Sequence, residues 1–515
     1  MAGCGAYLNN TPKRRFPTIY SHPTGNREKA TMTVESGDAA LPEQELRRFE
    51  LELQQLGQER LLRELQQASG SQHAKLLQQL LAIDFSLLRE IRNSGFGAAC
   101  STDRVLRARI PQQVMRQPQT AEQKQAWALA RQAGEQLLRS SAVAVVTVAG
   151  GQGTRLGFDL PKGMYPVGPV SGRTLFQIFA EQILARRRRY AAALPWLIMT
   201  SDATHSETIR FFEAQQYFGL PTDSVHFFRQ GSLPAIDAVS GEILLSGPGE
   251  IALAPDGHGG LVGALARSGL LNQLRDSGVD HIYYHQIDNP TAPVADPALL
   301  GFHQQFRSQA TTCVVPRTTP AERMGVVVEV DERAEIIEYS ELTPEQSASV
   351  NEAGEWIFWA GNTAIHVFDR SFLEQLTMAG NRLPLHAARK NVPFVDRDGQ
   401  LRTPTDAANP NAIKLEQFIF DALPLARATL VVEGHRDREF NPVKNRSGAD
   451  SVDSCRAAMV RIAREWLTAA GVELPESVAV EISPLQALDA EELRHRLAAG
   501  ELHIDHLMTA GELSA

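Results

Sequence analysis

Val148-Ala149-Gly150-Gly151-Gln152-Gly153-Thr154-Arg155-Leu156-Gly157-Phe158-Asp159-Leu160-Pro161-Lys162-Gly163 closes the short apolar run Ala142–Val148. A run of this kind reads as a buried parallel strand, because such strands are covered on both faces. The glycines after it permit a tight turn and close approach to a ligand. Their backbone N–H groups can cradle phosphate oxygens. Two common phosphate loops do not fit. The dinucleotide fingerprint needs glycine where Leu156 stands, and the P-loop needs Gly-Lys-Ser/Thr where Pro161-Lys162-Gly163 stands. Arg155 supplies a rigid fork for two phosphate oxygens, and Lys162 adds a point charge stiffened by Pro161.

Working outward, strand-like and helix-like segments alternate. The helical pattern Leu175, Phe176, Ile178, Phe179, Ile183 precedes the strand Leu197–Thr200. A helix near 205–216, the strand Val225–Phe228, a helix near 260–275 and the strand His281–Ile287 follow. This alternation predicts βαβ units and an α/β, doubly wound sheet, with ligands at the carboxyl ends of its strands. Strands then dominate: Thr311–Val315, Gly325–Val330, Glu335–Tyr339, Ile365–Phe368 and Ala428–Glu433, before a helix near 451–469.

Upstream, residues 42–140 read as helical. Leu46, Phe49, Leu53 and Leu56 share one face, as do Leu77, Leu80, Leu81, Leu88 and Ile91. Thr120 and Gln123 form a capping-box pattern. The expected organisation is a disordered tail over 1–31, a helical segment over 32–140, a catalytic unit over 141–425 and a small C-terminal domain over 426–515. Met32 is read as a candidate start.

The chain has 515 residues, 43% hydrophobic and 22% charged, with a net charge of −9. That balance argues against a nucleic-acid or membrane surface. The four cysteines are scattered, which argues against a disulfide framework or zinc site and fits a cytoplasmic location. The run Arg186–Arg189 reads either as an anion patch or as solvated cations at a helix C-terminus, and the second reading is adopted.

Many further blocks occur in one order. They are Pro161-Lys162-Gly163-Met164-Tyr165, Thr174-Leu175-Phe176-Gln177, Tyr217-Phe218-Gly219-Leu220, Gln230-Gly231-Ser232-Leu233-Pro234, Ala254-Pro255-Asp256-Gly257, Val294-Ala295-Asp296-Pro297, Glu338-Tyr339-Ser340-Glu341 and Ala360-Gly361-Asn362. From about 142 to about 445 the chain resembles the UDP-N-acetylhexosamine pyrophosphorylases, within the UTP–sugar-1-phosphate uridylyltransferases. The resemblance implies a mixed sheet of nucleotidyltransferase, glycosyltransferase A-like type. It implies UTP and a sugar 1-phosphate as substrates, Mg²⁺ as cofactor, and a monomer or weak homo-oligomer. Arg155, Lys162 and Lys414 would be catalytic. Val148, Ala149, Gly150, Gly151, Lys162, Gln230, Gly257 and Asp288 would hold the UTP, with Asp288 also the metal ligand. His258, Glu338, Asn362 and Lys444 would bind the sugar 1-phosphate. His258 departs from the pattern: the hexosamine enzymes resemble Pro-Asp-Gly-Asn-Gly-Gly here, whereas UDP-glucose enzymes carry Gly-His-Gly in the related loop. N-acetylglucosamine 1-phosphate is the first candidate sugar and glucose or galactose 1-phosphate the second. A non-catalytic UDP-sugar sensor is the rival class.

Overall fold

The computed structural model describes residues 43–81, 83, 85, 88–89, 102–378, 383–504 and 507–510. The tail over 1–31, Met32 and Ile91 lie outside them, as does the Leu46 side chain. Among the described residues no helix is long and apolar enough to cross a membrane.

A ten-stranded mixed sheet runs through the molecule. Its strands are β1 (Val114–Met115), β2 (Val143–Val148), β3 (Trp196–Thr200), β4 (Val225–Arg229), β5 (His281–Gln286), β6 (Ala310–Pro316), β7 (Val326–Val330), β8 (Arg333–Ile337), β9 (Ala360–Asp369) and β10 (Thr429–Glu433). Eight of them follow the order β1-β10-β6-β9-β5-β2-β3-β4, and the β7–β8 hairpin attaches at β9. The ladders β5–β2, β2–β3 and β3–β4 are parallel, while β9 runs antiparallel to both β5 and β6.

Burial explains the apolar run that opened the sequence. Val143 and Val145 face one core with Phe179 and Leu300, while Ala144 and Val146 face the other with Leu265 and Phe372. With helices on both faces, no position of β2 is left for a polar alternation. The chain moves outward from β2 to β3 and β4, then returns to the other side of β2 as β5. The sheet order therefore reverses at β2, which opens a crevice at the carboxyl ends of β2 and β5.

Local sequence sets the helix boundaries. Thr120 and Gln123 close their capping box at the start of Ala121–Arg139, and Asp296 caps Pro297–Gln305 through the Leu299 N–H at 2.8 Å. The single helix expected near 260–275 is two, Leu261–Arg267 and Leu270–Asp276, because Gly269 sits at φ +72° between them. β9 is longer than the expected 365–368 and contains Gly361 and Asn362, residues that disfavour strands. A register shift at Cys313/Val314 accommodates them.

β1 and β10 pair with each other inside the central sheet, so it takes one strand from each side of the segment 141–425. The helices Glu43–Gln55, Glu59–Gln67 and Gly70–Leu81 bury Leu53, Leu61 and Leu76 against Ile236, Ile251 and Leu415. Leu81, read as part of that apolar face, is half exposed. Beyond residue 451, the helices Val452–Ala469 and Ala490–Ala498 close their own small core around Leu467, Val480 and Leu493.

The helices 121–139 and 297–305 cross at near-backbone contact. A Cβ at Gly301 would stand 1.7 Å from the Ala130 carbonyl oxygen, and one at Gly134 would stand 1.8 Å from that of Pro297. Gly301→Ala is expected to destabilise the protein by about 1–3 kcal/mol, despite alanine's better helix propensity. The midpoint of urea unfolding reads this directly, and an unchanged midpoint would contradict the tight crossing.

Candidate active site

The loop after β2 is pinned from two sides. Ala149 N–H donates to the Met199 carbonyl at 2.8 Å, and Ser201 Oγ donates to the Gly150 carbonyl at 2.8 Å. A Cβ at Gly150 would stand 2.5 Å from Gln230 Oε1, so the loop backbone and that amide are already in contact range. The loop then folds back on itself: Gln152 bridges Pro161, and Lys162 N–H donates to the Gly151 carbonyl at 3.0 Å. Leu156, the residue that breaks the dinucleotide pattern, is a buried anchor at 4% exposure.

This return places Lys162 against the end of β5. Val148 and Gln286 are register partners, and the Ile287 N–H donates to the Val148 carbonyl at 3.1 Å. Lys162 Nζ then lies 3.5 Å from Asp288 Oδ2, with both side chains mostly buried at 17% and 18% exposure. The expected phosphate cation and the expected metal carboxylate thus meet across the crevice. Asn289 performs the turn role that an Asp-Asn-Pro sequence suggests. Its Nδ2 donates to the Glu439 carbonyl at 2.6 Å and its Oδ1 accepts the Asn441 N–H at 3.0 Å. The Val443 N–H reaches the Asp288 carbonyl at 2.8 Å. This clasp brings Lys444 to the crevice, where its Nζ lies 3.4 Å from Asp450 Oδ2.

The expected uridine positions Gln230 and Gly257 flank a small hairpin. Ser232 pairs with Pro255, so Gln230 and Gly257 emerge at the same end. Gly257 sits at φ +84°, and a Cβ there would stand 2.5 Å from the Gln417 carbonyl oxygen. Gln417 is held from both sides: its N–H donates to the Asp256 carbonyl, and its carbonyl accepts the Gly259 N–H, each at 2.8 Å. Asp256 is itself buried, and burial pushes its carboxyl up to about 6.

His258 is not a solvent-facing loop residue. Its Nδ1 accepts the Ile419 N–H at 3.1 Å, and its ring stacks on Phe418 at 5.3 Å. Burial pulls its pKa down to about 4. The ring is therefore neutral near pH 7, and with Nδ1 an acceptor the proton sits on Nε2. Phe418 also stacks with His386, whose ring lies 4.4 Å away and whose Nε2 is 2.7 Å from Asp421 Oδ2. His386, Asp421 and Gln417 escaped sequence reasoning. Each belongs to the site through a contact far away in sequence, and no local pattern marks them.

Glu338 and Asn362 meet around Gly325. The Asn362 N–H donates to the Gly325 carbonyl at 2.8 Å, and a Cβ at Gly325 would stand 2.7 Å from Glu338 Oε1. Burial and the nearby Glu341 raise the Glu338 pKa. Asn362 Oδ1 accepts the Ala364 N–H at 3.0 Å. Lys414 lies on Ala412–Glu416, two positions from Glu416 and on the same strand face. Glu416 in turn abuts Gly257. Arg155 is exposed in the Thr154–Leu156 turn. Among the described residues, no ion pair ties Arg155 or Lys414 to Asp288.

The model of the family described as UTP–glucose-1-phosphate uridylyltransferase matches residues 98–466. The chain belongs to this family. UDP-N-acetylhexosamine pyrophosphorylase-like protein 1 of Mus musculus is 35% identical to it over 488 residues, covering 88% of this chain and 94% of that protein. UDP-N-acetylglucosamine pyrophosphorylase of Saccharomyces cerevisiae is 33% identical over 448 residues, covering 85% and 91%. The crystal structure of the uridine diphosphate N-acetylglucosamine pyrophosphorylase of Trypanosoma brucei in complex with inhibitor aligns with a TM-score of 0.73. It is 26% identical and covers 90% of this chain and 96% of its own. As a uridylyltransferase of this family, the chain places its glycine loop at the sheet's reversal point. The loop follows neither the dinucleotide fingerprint nor the P-loop pattern.

The neutral His258 makes a pH prediction. A folded-state pKa below the unfolded value near 6.5 gives stability that is present above that value and lost as pH falls toward about 4. His258→Asn removes this contribution. Between pH 7 and pH 5 the wild type should lose up to about 2 kcal/mol more unfolding free energy than the variant. Equal losses in denaturant titrations would show that the imidazole is not held neutral.

Proposed function

We propose that the chain transfers UMP from UTP to a sugar 1-phosphate, with N-acetylglucosamine 1-phosphate as the first acceptor, giving a UDP-sugar and pyrophosphate. The observation that carries this reading is the Lys162–Asp288 pair beside Gly151, at the reversal point of the sheet. A phosphate oxygen of the sugar 1-phosphate attacks the α-phosphorus of UTP. The new P–O bond forms as the bond to the bridging oxygen of the departing pyrophosphate breaks. Such a transfer needs alignment and charge neutralisation more than covalent help.

Each residue has a task on that scheme. The 149–151 backbone and Gln230 hold the uridine, the amide matching an imide edge that both donates and accepts. Lys162 exchanges Asp288 for phosphate oxygens, and its mostly buried position strengthens that attraction. Arg155, Lys414 and Lys444 would supply further cations to the phosphates. Glu338 and Asn362 take the sugar hydroxyls and acyl group. Asp288 would hold Mg²⁺. A carboxylate oxygen at a strand tip suits a hard cation whose shell phosphates and water complete, and the bound ion supplies charge neutralisation at the phosphates.

His258 favours a second acceptor, glucose or galactose 1-phosphate. Its Nε2–H donor stands where the hexosamine enzymes resemble Asn. A panel of sugar 1-phosphates with UTP, read by pyrophosphate release, separates the readings. N-acetylglucosamine 1-phosphate should give the highest kcat/KM. A preference for glucose 1-phosphate would assign the loop to His258, and binding of UDP-sugars without turnover would favour a sensor.

Lys162→Ala should lower turnover by about two orders of magnitude or more, because a buried phosphate clamp contributes about 3 kcal/mol. Asp288→Asn should raise the Mg²⁺ concentration needed for half-maximal rate. Full activity of a folded Lys162→Ala variant, or an unshifted Mg²⁺ requirement in Asp288→Asn, would overturn these assignments.

A further inference from the structure

The helix Pro297–Gln305 is held at both ends by side chains from other elements. Ahead of it, Arg186 Nε donates to the Val294 carbonyl at 3.2 Å. Arg186 is buried, so the solvated role read for Arg186–Arg189 fails for its first member and holds for the exposed Arg188 and Arg189. In the last turn stands His303, which is fully buried. Its Nδ1 meets the Thr311 hydroxyl at 2.8 Å, and its Nε2 lies 3.1 Å from Asp369 Oδ1. The same carboxylate oxygen lies 3.2 Å from His281 Nδ1. His281 and Asp369 are register partners on β5 and β9, so two strands and one helix converge on this point. The three donor atoms all lie within 4.8 Å of one another.

Hydrogen bonding accounts for only part of the cluster. His281 Nδ1 is buried, and its 3.2 Å approach to Asp369 does not complete a hydrogen bond. The Thr311 hydroxyl can accept the Nδ1 proton of His303, an outer contact that leaves Nε2 bare toward Asp369. The spacing is that of a metal site. A tetrahedral ion about 2.0–2.1 Å from each donor holds the donors about 3.3 Å apart and two imidazole centres about 5 Å apart. The carboxylate–imidazole distances are 3.1 and 3.2 Å, and the two rings stand 5.1 Å apart at 89°. Arg370, the neighbour of Asp369 in sequence, is engaged by Asp280 and Glu374. The side chains of His281 and Asp369 are 14% and 29% exposed, which leaves a route from solvent and room for water as a fourth ligand. The donors are imidazole and carboxylate, on which the scattered cysteines have no bearing. The cluster lies at the amino end of β5, whereas Asp288 follows its carboxyl end.

We propose that His281, His303 and Asp369 bind a divalent transition ion of the zinc type, which pins the helix 297–305 to β5 and β9. Two imidazoles and one carboxylate suit Zn²⁺ and not Mg²⁺, which takes oxygen ligands. The inference stands apart from the catalytic reading, and its test uses no turnover. The full chain carrying Asp288→Asn, so that the crevice carboxylate is removed, is stripped with EDTA and dialysed. It is then titrated with Zn²⁺ against a chromophoric chelator, and with Co²⁺ followed by visible absorption. One equivalent of Zn²⁺ should bind and raise the melting midpoint, and Co²⁺ should give the intense bands of a tetrahedral ion. Adding His281→Gln should weaken Zn²⁺ by about tenfold or more and remove both effects. Failure to bind one equivalent, or unchanged affinity with His281→Gln, overturns the proposal. If the His281→Gln protein lacks a cooperative melt, zinc-edge X-ray absorption of the one-equivalent complex with the cluster intact decides. Two imidazoles on the ion support the site, and a shell with fewer overturns it.

Discussion

The pairing of β2 with β5 is the constraint on which the site depends. Val148 and Gln286 are register partners, so the loops that leave the two strands start side by side. Moving that register by one residue would turn Val143–Val148 inside out between the two cores. The strands are covered on both faces, so the register is held by burial along its whole length. Lys162 and Asp288 meet because two segments about 140 residues apart in sequence are locked at this one ladder.

The second layer of organisation is desolvation. The crevice is walled by groups whose ionisation burial opposes. His258 is held neutral, and Asp256 and Glu338 are raised. Walls of low polarity would strengthen a cation–phosphate contact relative to its value at an exposed surface.

Much of the frame was legible in the sequence because it rests on local rules. The continuous Val-rich run of β2 signals burial on both faces. The Thr120–Gln123 box, the Asp296-Pro297 start and the glycine loop are each decided within a few residues. Less was legible where tertiary pairing overrides propensity. Gly361 and Asn362 lie inside a ten-residue strand, because β6 and β7 hold them there. β10 joins the central sheet although it lies beyond the expected catalytic unit, since only the fold shows that a slot beside β6 was left for it.

By itself, the sequence determined the kind of chemistry. Glycines, Arg155 and Pro161-Lys162 after a buried strand mark a candidate phosphate loop, and the spacing excludes two common alternatives. The tertiary structure alone decided which groups face one another. It set Lys162 on Asp288, Lys444 on Asp450, Gln417 under Gly257, and both His258 and His386 against Phe418. The reason is that these contacts are made through sheet register and helix packing between distant segments. A linear pattern carries no record of such contacts beyond the burial that each segment requires.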